Sequence, residues 1–205
     1  VSCVQDPAVG RERELGAGTL EPAAVPRHIV VVGGGPGGLE AAWVAAARGH
    51  RVTLLERGRE LGGKVRLAQR LPGRAELADF ADWRIGECER RGVEIRTGID
   101  ADAAYVLALS PDAVVVATGG RATKLGLAKW HAMPVPGSEQ AFVLDHEQAL
   151  LRAAELGPRI VILDTVGHIE GIGLAELLAK LGKQVTLAMP LAPPGNIDPE
   201  TAALA

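Results

Sequence analysis

Cysteine is nearly missing from this sequence, with two in 205 residues, Cys3 and Cys88. Two thiols make no disulfide framework and no paired spacing for zinc, a usage that fits a reducing cytoplasm. An excess of charge of one sign is missing as well: 22 Lys and Arg against 25 Asp and Glu leave a net charge of −3. Aromatic residues make up 3% of the chain, and no basic face or aromatic-basic interleaving appears, so nucleic acid is not implied. No apolar run reaches the ~18 residues that a membrane span requires. The chain opens on Val1 without an initiator Met, and its first residues form neither a charged n-region nor an apolar h-region, so a piece of a longer protein is expected. G-x-S-x-G and H-E-x-x-H are absent, which removes the common hydrolase and metalloprotease constellations. At 47% hydrophobic residues the chain is rich enough and long enough to bury a real core, in one large domain or one and a half ordinary ones.

What is present in quantity is glycine, 26 residues, and its most informative cluster lies between His28 and Glu56, HIVVVGGGPGGLEAAWVAAARGHRVTLLE. Gly33, Gly35 and Gly38 have G-x-G-x-x-G spacing, directly after the apolar run Ile29 to Val32 and directly before a helical pattern. Gly33 lets the chain turn out of the strand, Gly35 lets the backbone approach a pyrophosphate, and Gly38 lets the helix pack close to the sheet. Leu39, Ala42, Trp43 and Ala46 recur at helical spacing, so this helix turns its apolar stripe to the sheet and its amino end to the phosphates. Glu56 closes the second strand, where an acid accepts hydrogen bonds from an adenosine ribose. A glycine-rich turn alone occurs by chance; strand, glycines, helix, second strand and terminal acid in register point to an adenine dinucleotide or ADP.

Around this unit the pattern is read more coarsely. Residues 1–27 lack sustained periodicity and are expected to be an extended leader, with Arg11 to Glu14 a solvated run of alternating charge. The stretch 57–73 reads as a loop. Within it Gly58, Gly63 and Lys64 fit G-x-x-x-x-G-K, the phosphate loop of nucleoside triphosphatases, but Val65 stands where a Ser or Thr must hold magnesium. Gly62 and Gly63 are better explained as a second close approach of backbone to the dinucleotide. Residues 75–91 predict an amphipathic helix with Leu77, Phe80, Ala81, Arg84, Ile85 and Cys88 near one face, and Cys88 as a small core residue. Val93 to Arg96 reads as a strand, Ala101 to Leu109 as a helix, and Ala113 to Ala117 as a wholly apolar buried strand. Thr118 and Gly119 follow at its carboxyl end, where open α/β sheets bind ligands.

The segment 121–143 looks like a crossing between modules. Asp145 and Gln148 have capping-box spacing for a helix through about Leu156. Then comes a second unit: strand Arg159 to Leu163, a turn Asp164 to Gly173, a helix marked by Leu174, Leu177, Leu178 and Leu181, and strand Gln184 to Ala188. The turn does not spell G-x-G-x-x-G; His168 within it is either a phosphate contact or an ordinary loop histidine.

Two dinucleotide-type modules in series, the first with GGGPGG, Glu56, LGGK and ATGG, resemble the two-dinucleotide-binding-domain flavoproteins. The finer resemblance is to the C-terminal part of the old-yellow-enzyme-like group that includes 2,4-dienoyl-CoA reductase and trimethylamine dehydrogenase. It implies an α/β, Rossmann-like FAD/NAD(P)-binding fold, a parallel sheet with flanking helices, followed by a truncated second Rossmann-like module. The expected division is leader 1–27, FAD or ADP module 28–143 and partial NAD(P)-type module 144–205. Gly33, Gly35, Pro36, Gly37, Gly38, Glu56, Arg57, Gly63, Lys64, Thr118 and Gly119 would line the FAD or ADP site, with Lys64 in place of a more usual glutamine. The leader SCVQDPAVGRE looks like the family segment carrying the last cysteine ligand of a 4Fe-4S cluster, which makes Cys3 that ligand within a full-length protein. The other three cysteines and an FMN would belong to a TIM barrel outside these residues. The resemblance thus implies an oxidoreductase whose 205-residue portion alone is not catalytically competent, with no catalytic residue of its own, and it leaves room for an oligomer. It also leaves open whether the second module takes NAD(P)H, as in a reductase, or not, since Asp164, Gly167 and Gly171 resemble the amine dehydrogenase branch. A structural adenine nucleotide in the first module is the remaining alternative.

Overall fold

Val30, Val31, Leu54 and Leu55 are buried to within 1%, because each belongs to a strand covered on both faces. The computed structural model describes residues 3, 6–16, 18–125, 133–165, 167 and 169–189. In chain order the elements are α1 (Glu12–Leu15), β1 (His28–Val32), α2 (Pro36–Ala47), β2 (Arg51–Glu56), α3 (Val65–Ala68), α4 (Leu77–Arg90), β3 (Glu94–Thr97), α5 (Ala103–Ala108), β4 (Ala113–Val116), α6 (His146–Leu151), β5 (Arg159–Leu163), α7 (Ile169–Lys180) and β6 (Gln184–Ala188). The chain separates into two compact units, Val1–Arg66 with Glu76–Gly119, and Leu67–Ala75 with Gly120–Ala205. Residues 67–75, 121–125 and 133–143 group with the second unit.

The first unit is a parallel sheet of order β3-β2-β1-β4. Ile29 pairs with Val52 on one side and Ala113 on the other, and Glu56 pairs with Thr97. Because side chains alternate across a strand, Ile29, Val31, Val52 and Leu54 face one layer with Leu39 and Ala42 of α2 and Cys88 of α4. Val30 and Leu55 face the other layer with Val106 of α5. Trp43 and Ala46 pack against the first cluster from the stripe the sequence indicates. Arg84, buried on the apolar face of α4, is accommodated by Glu40 of α2, whose Oε2 accepts from Nε at 2.6 Å, and by stacking 3.8 Å over the Phe80 ring. On the opposite layer the buried His28 and Thr53 satisfy one another, Nε2 to Oγ1 at 3.0 Å, while the Arg51 guanidinium approaches Nδ1 at 2.7 Å. A guanidinium only donates, so Nδ1 accepts and the ring proton is assigned to Nε2, donating to Thr53, whose hydroxyl in turn donates to Glu94 at 3.1 Å.

Burial, with Glu87, Glu40 and Glu89 nearby, pushes the Cys88 thiol up to about 11 from its ordinary 9.0. A raised folded-state value stabilises the fold below pH 9 and that contribution is lost as pH rises toward 11. Native protein at neutral pH should leave Cys88 unalkylated by iodoacetamide until denaturant is added; labelling before unfolding would contradict its place in the core.

The second unit pairs β5 with β6 in parallel, Arg159 opposite Gln184 and Leu163 opposite Ala188. Its core gathers Leu71, Leu150, Ala153, Leu174 and Leu178. The capping box is formed: Asp145 Oδ1 accepts from Gln148 N at 2.8 Å and Gln148 Oε1 from Asp145 N at 3.2 Å.

Several expectations change in the structure. The leader contains a one-turn helix, α1, and its end docks locally, Ala23 N donating to Arg48 O at 2.8 Å; the charged run at Arg11 to Glu14 is exposed as expected. The loop after Glu56 includes α3. α6 ends at Leu151, and α7 starts at Ile169 inside the expected turn and stops before Leu181, which is exposed. β4 is apolar but not buried throughout, since Val114 and Val116 are 42% and 73% exposed. It is the edge strand of its sheet, which periodicity cannot disclose.

Candidate nucleotide-binding site

The carboxyl ends of β1, β2 and β4 meet at one edge of the first unit. In the order β3-β2-β1-β4 the chain reverses its direction of growth between β1 and β4, and that switch point is where a crevice opens above a parallel sheet. Gly33 leaves β1 with φ of +111°, a conformation glycine adopts without cost. It passes so close to β4 that a Cβ would lie 2.7 Å from the Ala117 carbonyl carbon. Ala117 N donates to Val32 O at 2.8 Å, which carries Thr118 and Gly119, both exposed, alongside the turn.

Gly38, in the first turn of α2, is buried, and a Cβ there would fall inside 3.0 Å of the Gly33 oxygen. Helix and glycine turn therefore touch main chain to main chain. Gly35 differs from both: its φ of −79° suits any residue, and a Cβ would meet nothing within 4 Å. It is the N-cap of α2 without a capping side chain, followed by Pro36 at the first helical position. Open space thus faces the amino end of a helix whose amides carry partial positive charge.

Glu56 reaches back over this turn. Its Oε2 accepts from Gly34 N and its Oε1 from Gly58 N, each at 2.6 Å. The LGGK loop lies against the same turn, with Gly62 N donating to Gly34 O at 2.8 Å and a Cβ at Gly63 placed 3.0 Å from Gly35 Cα. Arg57, Gly37 and Lys64 are exposed around the rim. The strand order thus brings Gly33, Gly35, Pro36, Gly37, Gly38, Glu56, Gly63, Thr118 and Gly119 to one edge of the unit. Gly34 and Leu61 belong to the assembly too, although spacing alone did not single them out, as does Gly58, which spacing placed only in the discarded phosphate-loop pattern; the third glycine of the GGG run was the available signal for Gly34.

Residues 27–202 match the family described as pyridine nucleotide-disulphide oxidoreductase. The chain belongs to that family. Among its relatives, the N,N-dimethylglycine/sarcosine dehydrogenase of Chromohalobacter salexigens is 37% identical over 196 residues, 95% of this chain and 28% of the relative. The NADH oxidase of Thermoanaerobacter brockii is 36% identical across 90% of this chain and 27% of its own length. The solved structure of the 6-hydroxypseudooxynicotine amine oxidase from Pseudomonas geniculata N1 superposes with a TM-score of 0.90 at 29% identity, covering 100% of this chain and 32% of that one. The chain therefore spans little more than a quarter of the length of these curated relatives. The family resemblance carried by GGGPGG, Glu56, LGGK and ATGG is borne out, as is the Rossmann-like α/β fold.

Cys3 is exposed, Cys88 is buried and neither forms a disulfide. Among the described residues no three His, Cys, Asp or Glu side chains gather as a metal site, so one thiolate does not by itself fit an iron-sulfur cluster. No helix among the described residues is long and apolar enough to cross a membrane. His168 lies outside the described residues.

Proposed function

We propose that the first unit holds the ADP portion of FAD, or ADP itself, and that the chain is the nucleotide-binding portion of a flavin- and iron-sulfur-dependent oxidoreductase. Gly35 carries the reading. Packing accounts for glycine at 33, 34 and 38, where a Cβ would collide with Ala117, Leu61 or Gly33, but no atom of the described residues stands within 4 Å of the corresponding place at Gly35. A diphosphate lying across the amino end of α2 supplies the missing reason for glycine there. Glu56, already oriented by the Gly34 and Gly58 amides, keeps further lone pairs for ribose hydroxyls and repels a 2′-phosphate. Arg57, Gly63, Lys64, Thr118 and Gly119 complete the rim of the proposed site. A bound flavin would supply the electron store for oxidoreduction.

The parent activity follows the same reading: a TIM-barrel portion carrying FMN, a 4Fe-4S cluster to which Cys3 contributes one ligand, and a cytoplasmic location. Glu56→Ala should weaken ADP binding by about 1–3 kcal/mol, roughly 5- to 150-fold, because buried partners lose their acceptor. Calorimetry with a thermal melt of the same sample checks this; unchanged affinity removes Glu56 from the site.

A further inference from the structure

The LGGK loop is held by two sets of contacts. Gly62 and Gly63 have φ of +110° and +56°, both in the region that favours glycine, and two adjoining glycines keep wide freedom in any loop that is not restrained from outside. The first set is with the glycine turn. Gly62 N donates to Gly34 O at 2.8 Å, and a Cβ at Gly63 would lie 3.0 Å from Gly35 Cα, so the loop leans on the residue that carries the proposed diphosphate seat. The second set comes from Arg66 of α3. Its Nε donates to Leu61 O at 3.0 Å, and its Nη2 donates to Asp82 Oδ1 of α4. Its aliphatic stem packs on Gly62, where a Cβ would be 3.0 Å from Arg66 Cγ and 2.9 Å from Nε. A line of contacts therefore runs from Asp82 through Arg66, Leu61 and Gly62 to Gly63 and Gly35.

We propose that Arg66 is a positioning residue of the nucleotide site, holding the loop 61–63 against the glycine turn. The proposal rests on the reading of the first unit as an adenine-nucleotide site. An exposed ion pair adds little to stability, and the Asp82 side chain is 57% exposed, so the pair with Asp82 does not explain the arrangement as a staple of the fold. The bond to Leu61 O is of another kind, because a charged donor makes a strong and directed bond to a part-buried carbonyl. It fixes the backbone immediately before the two glycines. A loop in place before the ligand arrives spares the ordering entropy that binding would otherwise cost, and the effect is read in how long nucleotide stays bound.

The test uses the full chain, stripped of any bound nucleotide, and three variants. ADP affinity is measured by calorimetry, release by stopped flow with a fluorescent ADP analogue, and amide hydrogen exchange without ligand. Arg66→Met keeps the stem over Gly62 and removes the guanidinium; it should weaken ADP binding about tenfold, mainly through faster release. Without ligand its Gly62 amide should exchange at least about tenfold faster, while the Gly33 amide, bonded to Leu55 O, keeps its protection. Arg66→Lys, which reaches one acceptor at a time, should lie between wild type and Arg66→Met, and it carries the same comparison if Arg66→Met does not fold. Asp82→Asn leaves the Leu61 bond and should cost no more than about threefold. Unchanged ADP affinity and unchanged Gly62 exchange in the Arg66 variants, beside normal binding by wild type, would reduce Arg66 to packing and overturn this proposal alone. Absence of ADP binding by folded wild type would overturn the proposed function and this proposal with it.

Discussion

Gly38→Ala is expected to destabilise the first unit by about 3 kcal/mol or more, against the usual sign for such a change. Replacing glycine by alanine inside a helix ordinarily stabilises by roughly 0.5–1 kcal/mol. Here the added methyl would lie inside 3.0 Å of the Gly33 oxygen, 3.0 Å from the Gly33 carbonyl carbon and 3.4 Å from Ala117 Cβ. Two of these three atoms are backbone of a turn pinned to β2 by Gly33 N donating to Leu55 O at 2.7 Å. Neither side can give without parting α2 from the sheet. Overpacking costs of ~1–3 kcal/mol assume side chains that yield, and a backbone collision sits at or beyond the top of that range. Against a total stability of ~5–15 kcal/mol this is a large fraction. A melting temperature lowered by about 10 °C is the expected reading; an unchanged or raised one would show that helix and turn do not touch.

Gly35→Val should do the opposite, removing nucleotide binding while leaving the fold. With φ −79° and ψ −175° the residue is already in extended backbone that valine adopts readily, and a Cβ there meets no atom of the described residues within 4 Å. Loss of a glycine N-cap costs at most about 1 kcal/mol. The same side chain would project into the space proposed for the diphosphate, at the amino end of α2. Circular dichroism and melting should stay near wild type while ADP binding falls more than ~100-fold, the scale set by a buried group displaced without replacement. Retained binding would make the glycine turn a purely structural one.

The contrast between those neighbouring glycines marks what the sequence could and could not disclose. Spacing put Gly33 after a strand, Gly35 at the entry to a helix and Gly38 in its first turn, where the structure has them, because each constraint is local and falls within six residues. β5 and β6 have the expected bounds, and Asp145 with Gln148 closes the expected capping box, for the same reason. What escaped is non-local. Whether Val114 and Val116 are covered depends on β4 standing at the sheet edge, and apolar composition reads alike for central and edge strands. That Glu40 would receive Arg84 depends on α2 meeting α4 44 residues later in the chain. Glu56 was legible as the acid at a strand end, but its grip on Gly34 and Gly58 required the loop path. Asp164 was legible as a departure from G-x-G-x-x-G and as part of the pattern that resembles the amine dehydrogenase branch; its carboxylate against Gly171 is a matter of side-chain packing.

The most direct test of the first unit as a nucleotide site is the small-molecule content of the purified protein, read by visible absorption and by chromatography of an acid extract. The account predicts about one equivalent per chain of FAD, with its flavin band, or of ADP without one, and its replacement by added ADP in calorimetry. Protein that carries neither nucleotide and gives no ADP binding isotherm, while folded by circular dichroism, would contradict it.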